Sequence, residues 1–167
     1  MQAPLTVVTL ETGETKDLSD FYKDKPLILV FLRHFGCIFC REQIAGLREF
    51  KTENIVLVGM GRIQETQEFK RKMEIPQPVV SDPNKLLYDA FGLRRSSFGQ
   101  QINPTLMRKS LKLFQNGHRQ GLMKQNPWML AGVFRIERDG EVSYSQFASD
   151  ISDNLSGPAI AQLLRAK

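Results

Sequence analysis

Cys37 and Cys40 are the only cysteines in the chain, and they stand in one run, Cys37-Ile38-Phe39-Cys40. Three residues along the first turn of a helix bring two sulfurs close enough to form a disulfide that closes a small loop. The free N–H groups at a helix N-terminus, with about half a positive charge, stabilise a thiolate placed there. Arg33, His34 and Arg41 add positive or titratable groups on either side. A thiolate poised near ambient pH is the better attacking group in thiol–disulfide exchange, and a neighbouring cysteine then resolves the mixed disulfide. The first cysteine of such a pair sits at the helix tip, which favours Cys37 as the exposed sulfur, with Cys40 shielded. Two other readings compete with redox chemistry. Two buried cysteines could merely fill space, or a zinc ion could take Cys37, Cys40, His34 and His118. The zinc set is poor, because His34 is only three residues from Cys37, His118 lies in an irregular stretch, and no second CxxC exists. The residues call for no metal and no cofactor.

The pair has the right neighbours for that chemistry. Leu27-Ile28-Leu29-Val30-Phe31 is a continuous apolar run with the length and branching of a strand buried on both faces. After Cys40, apolar Ile44, Leu47 and Phe50 alternate with Arg41, Glu42, Arg48 and Glu49 at helical spacing. Gly46 costs that helix about 1 kcal/mol relative to Ala, so it marks a close packing contact. Ile55 to Gly59 reads as a second buried strand, Glu65 to Met73 as a helix, Pro78 to Val80 as a short strand, and Asn84 to Phe91 as a helix ended by Gly92. Upstream, Leu5 to Leu10 reads as a strand and turn. Downstream, Asn103-Pro104 suits the start of a helix carrying Leu106, Met107, Leu111 and Phe114. Gly132 to Ile136 and Glu141 to Phe147 flank Arg138-Asp139-Gly140, a hairpin signal, and Pro158 to Leu164 reads as a closing helix. Alternating strands and helices imply an α/β sheet.

The 167 residues suit one domain, 1–167, with an insertion at about 93–126. A composition of 41% hydrophobic and 25% charged residues is that of an ordinary folded chain. The longest apolar run, Leu27 to Leu32, falls far short of the ~20 residues of a membrane helix. The opening Met1-Gln2-Ala3-Pro4-Leu5 has no basic or apolar leader segment, so the expected location is cytoplasmic. The net charge of +5 is local. Between Asp89 and Glu137 there is no acidic residue, yet Arg94, Arg95, Arg108, Lys109, Lys112, Arg119, Lys124 and Arg135 fall there. Removing these eight from 23 basic residues leaves 15 against 18 acidic ones, a net −3 for the rest. The plain reading of this block is a solvated face on a helical insert. A second function class follows from it, a non-catalytic module that binds an acidic partner through the basic, apolar insertion.

The sequence resembles the peroxiredoxin-like AhpC/TSA branch of the thioredoxin superfamily. The carrying residues are Lys25 to Phe31, Arg33 to Glu42, Ser81-Asp82-Pro83 before Leu86 to Gly92, and Gly132-Val133-Phe134 before Arg138-Asp139-Gly140. The resemblance implies a thioredoxin-like three-layer α/β fold, with a central mixed sheet and a helical insertion before a C-terminal hairpin. It also implies a thiol-dependent oxidoreductase that reduces disulfides or, as an antioxidant enzyme, peroxides. The implied partners are an external thiol reductant of the thioredoxin or glutathione type, a peroxide or protein disulfide substrate, and a second copy in a homodimer. Neither nucleic acid nor membrane is favoured. The chain departs from the family pattern at the site. Where typical members have a Pro, a Thr or Ser, and then the peroxidatic Cys three residues on, this chain has Arg33, Cys37 and Cys40. That alignment makes Cys40 the nucleophile, whereas a thioredoxin-type reading makes it Cys37, with Cys40 resolving. Typical members also bring an Arg to the thiolate from a later strand, and Arg135 is the nearest candidate.

Overall fold

A computed structural model of the chain describes residues 1–93, 104–117, 128–150 and 152–165. Its central sheet has five strands, β3 (Leu27–Phe31), β4 (Ile55–Gly59), β5 (Val79–Ser81), β6 (Gly132–Ile136) and β7 (Val142–Phe147), in the order β5-β4-β3-β6-β7. β3, β4 and β5 are parallel, joined through α1 (Ile38–Leu47) and α2 (Ile63–Met73), while β6 and β7 are antiparallel additions. The continuous apolar runs read from the sequence are strands because both faces are covered. Leu27, Leu29 and Phe31 point into one layer with Val56, Val58, Phe134 and Ile136, beneath Leu18 and Tyr88. Ile28 and Val30 point into the other with Ile55, Leu57 and Val133, beneath Ile44, Leu47 and Ile160. Each such side chain stabilises the fold by about 1.5–3 kcal/mol on burial. α3 (Leu86–Ala90) belongs to the first layer, and α1 with α5 (Gly157–Leu163) to the second. The three-layer mixed sheet expected from the sequence is the fold observed.

The N-terminal residues form more than one strand. β1 (Val7–Thr9) pairs with β2 (Thr15–Asp17) in a separate antiparallel hairpin. β2 is polar, Thr15-Lys16-Asp17, and carries no apolar alternation that could announce it. Glu11 ties this hairpin to the sheet, accepting from Lys70 Nζ at 2.5 Å and from the Val79 N–H at 2.9 Å.

Gly46 has the role expected of it. A Cβ on Gly46 would lie 3.1 Å from the Gly157 nitrogen, and one on Gly157 would lie 2.1 Å from the Gly46 carbonyl carbon. α1 and α5 therefore cross with their backbones in contact, possible only without side chains there. Of the insertion, α4 (Pro104–Gln115) is described. It rests on α1 and buries Leu113, whereas Leu111 and Phe114 are exposed. Arg94, Arg95, Asn103, His118, Arg119 and Lys124 lie outside the described residues, as do the side chains of Leu106 and Met107.

Candidate active site

The site is built at the C-terminal end of β3. The Leu32 N–H still continues the ladder to Val58 O at 2.9 Å, and the chain then leaves the sheet through Arg33 to Gly36 and turns into α1. Cys37 is the N-cap, with extended backbone; its N–H donates to His34 O at 3.0 Å, and its carbonyl accepts from Arg41 N–H at 3.1 Å. Phe35 anchors this turn. Its ring stacks on Phe69 at 4.2 Å and fills space that a Cβ on Gly59 or Gly61 would occupy. Arg41 braces the same turn by donating from Nε to Phe35 O at 3.2 Å.

Cys37 and Cys40 are both free thiols and share a hydrogen bond. Arg33 touches both: its Nη1 donates to Cys37 Sγ at 3.3 Å and its backbone N–H to Cys40 Sγ at 3.4 Å. The guanidinium is itself held by Met129, whose carbonyl accepts from Nε at 3.1 Å. This arrangement separates the two sulfurs electrostatically. The Cys40 hydrogen bond, supported by the Arg33 charge, outweighs burial and pulls the Cys37 thiol down to about 6. The Cys40 thiol moves well up, because it donates to Cys37, is buried, and faces a negative sulfur. The opposite directions of the two shifts favour negative charge on Cys37 over Cys40.

One expectation is corrected. Cys37 is only 1% exposed, and Cys40 is fully buried. The helix-tip position does not expose Cys37 here; it lies buried beside the Arg33 guanidinium.

The other residues singled out in the sequence divide. Arg33 meets the sulfurs. His34 supplies its backbone carbonyl to the turn, and its buried ring has no hydrogen-bond partner at Nδ1. Burial first, then the charges of Arg33 and Arg41, pull its pKa down to about 4 and keep the ring neutral. Arg135 is not brought to the site. It pairs with Ile28 on β3, a distance on the order of 15 Å along the strand from Arg33. Its guanidinium binds Glu137 at 2.7 Å and the Leu163 carbonyl at 2.6 Å. The register of β3 with β6 puts it at the wrong end of the sheet.

Three contributors escaped the sequence reading. Met129 acts through a backbone carbonyl, which no side-chain pattern reveals. The Tyr88 hydroxyl donates to Leu32 O at 2.5 Å and Val58 O at 3.0 Å, clamping β3 to β4 beside the site. Asp82 sets Tyr88 in place by accepting from the N–H groups of Leu86, Leu87 and Tyr88 at the start of α3. An aspartate just before a helix is a recognisable cap signal, and it was the available clue.

Comparison with known proteins bears on this arrangement. A family model described as AhpC/TSA antioxidant enzyme matches residues 42–149, a span that starts just after Cys40. The thioredoxin-like protein AAED1, chloroplastic, of Arabidopsis thaliana is 26% identical over 170 residues, covering 92% of this chain and 66% of that protein. The chain thus spans just under two thirds of that relative's length. A prostamide/prostaglandin F synthase of Salmo salar is 28% identical over 148 residues, covering 83% of this chain and 74% of the relative. Among solved structures, peroxidoxin BcpB of Mycobacterium tuberculosis superposes with a TM-score of 0.69 at 16% identity, over 98% of this chain and 91% of that one. At that identity the likeness is one of fold.

Proposed function

The chain belongs to the AhpC/TSA antioxidant enzyme family, with a thiol-oxidoreductase-type role, and on that premise we propose that it is a dithiol oxidoreductase in which Cys37 attacks and Cys40 resolves. The observation that carries this reading is the donation to Cys37 Sγ from Arg33 Nη1 at 3.3 Å, beside the hydrogen bonds it receives from Cys40. It holds charge on the first sulfur and a proton on the second.

With a disulfide substrate, the Cys37 thiolate attacks one substrate sulfur, the substrate S–S bond breaks, and the other sulfur leaves as a thiolate. Cys40 then gives up its proton and attacks the Cys37 sulfur. The bond from Cys37 to the substrate breaks, and the second substrate sulfur leaves and takes a proton. The substrate has gained two electrons and the chain holds a Cys37–Cys40 disulfide. An external thiol reductant of the thioredoxin or glutathione type returns both thiols. Resolution within the chain can use only this pair, because no third cysteine exists.

A hydroperoxide is the second reading, favoured by the Arg33 guanidinium at the attacking sulfur. Attack by Cys37 on the terminal oxygen would release an alkoxide and leave a sulfenic acid, which Cys40 would condense to the same disulfide with loss of water. Arg33 supplies a cationic donor where typical relatives of this branch have proline. The test is turnover by the intact protein of a model disulfide and of a hydroperoxide with a dithiol reductant, alongside mass analysis of the oxidised chain. Loss of two hydrogens at Cys37 and Cys40, with turnover abolished in Cys37→Ser, is expected. Thiols inert to alkylation near pH 7 together with no turnover would sink the proposal.

A further inference from the structure

The peptide group between Leu32 and Arg33 is hydrogen-bonded on both edges. Its carbonyl accepts from the Tyr88 hydroxyl at 2.5 Å, and its N–H, on the opposite edge, donates to Cys40 Sγ at 3.4 Å. Tyr88 and Cys40 are both fully buried. Tyr88 is held by Asp82 at its backbone and by Phe31 at its ring, with centroids 4.9 Å apart. A buried tyrosine needs a partner for its hydroxyl. Here the nearer acceptor is the carbonyl of the peptide whose N–H donates to Cys40 Sγ.

We propose that Tyr88 is a positioning residue for Cys40, fixing and polarising the Leu32–Arg33 peptide so that its N–H stabilises negative charge on the Cys40 sulfur. Hydrogen bonds in a chain strengthen one another, most effectively in a dry interior. The proposal rests on Cys40 being the resolving sulfur. The groups facing Cys40 are Cys37, Arg33 and, from α3, Tyr88, with Asp82 behind it. While Cys37 is a thiolate, its charge opposes a second one on Cys40. Once Cys37 is bonded to substrate that opposition disappears. Cys40 must then lose its proton, and the Arg33 N–H and guanidinium remain to favour the anion against burial. Tyr88 itself stays protonated, since burial pushes its pKa well up, so it is always a donor.

The test titrates Cys40 alone, in a Cys37→Ser background, from the pH dependence of alkylation. Adding Tyr88→Phe removes the hydroxyl and keeps the ring. The expected result is an upward move of the Cys40 midpoint by about half a pH unit, read as about threefold slower alkylation at fixed pH. The Cys37 midpoint, measured in Cys40→Ser, is expected to stay where it is. Site-specific 3-fluorotyrosine at position 88, a stronger donor, should move Cys40 the other way, and it decides the matter if Tyr88→Phe does not fold. A lowered melting temperature with an unmoved Cys40 profile, or equal shifts at both cysteines, would overturn the proposal and leave Tyr88 a purely structural clamp. Absence of turnover would overturn the enzyme reading alone, because these titrations need no substrate.

Discussion

Arg33 Nη1 lies 3.3 Å from Cys37 Sγ, so the cation at the first sulfur of the pair comes from the loop that carries the cysteines and not from a later strand. The same residue donates its backbone N–H to Cys40 at 3.4 Å. Side chain and main chain of one residue thus serve different sulfurs, and substitution removes only the first.

Replacing Arg33 with Met removes the charge and keeps much of the volume. The Cys37 midpoint is expected to rise from about 6 by about one pH unit, slowing alkylation at pH 6 about fivefold. The Cys40 contact survives, since it is made by the backbone. An alkylation profile identical to that of the parent would show that the guanidinium does not act on the sulfur.

The first cause of the low Cys37 value is the Cys40 thiol. Cys40→Ala deletes that donor and, on the proposed mechanism, the resolving sulfur together. Its Cys37 midpoint should lie above that of the parent, and a mixed disulfide with a model substrate should accumulate instead of an internal disulfide. Mass analysis after quenching with acid distinguishes the two.

Stability of the reduced chain should depend on pH in a window set by Cys37. Its thiol ionises near 6 in the fold and near 9.0 as a free group, so between these values the unfolded chain binds a proton that the folded chain has lost. Stability therefore rises with pH from about 6 to about 9 and is lost as pH falls through 6. Urea midpoints of the parent minus those of Cys37→Ser should show this slope, and a flat difference would contradict it.

His34 adds a second window on the acid side. Its ring titrates near 4 in the fold against 6.5 when free, and its buried Nδ1 has no partner to receive a proton's charge. The unfolded chain binds the extra proton between these values, so this contribution is present above about 6.5 and lost as pH falls through about 4. His34→Gln should flatten the acid limb of the stability profile. If parent and variant lose stability in parallel, the histidine is not responsible.

The two glycines at the α1–α5 crossing should differ in tolerance. Gly157→Ala puts a methyl 2.1 Å from backbone, so the helices must part, at a cost of about 1–3 kcal/mol or more. Gly46→Ala meets backbone at 3.1 Å and gains about 1 kcal/mol in helix propensity, so its net effect should be smaller. Denaturant melts of the two variants check the order.

Much of this molecule is legible in one dimension. Leu27–Phe31, Ile55–Gly59 and Gly132–Ile136 were readable because apolar runs between turn residues have few other uses in a chain of this composition. The cysteine pair at a strand-to-helix junction was readable because its chemistry is local. β2 was not, since its polar residues are strand only by pairing with β1. Gly46 could be suspected of a close contact, but its partner Gly157 is more than a hundred residues away.

The amino-acid sequence by itself thus determined the sheet's buried strands, the order of the elements and the presence of a dithiol at a helix start, all set by periodicity and by spacing over a few residues. Tertiary structure alone decided which arginine meets the sulfurs, how deeply they are buried, and in which direction each thiol is shifted. Strand register removed Arg135 and loop curvature delivered Arg33. The charge of Cys37, the proton of Cys40 and the Tyr88 contact behind them depend on distances of a few ångströms between groups that spacing along the chain does not constrain.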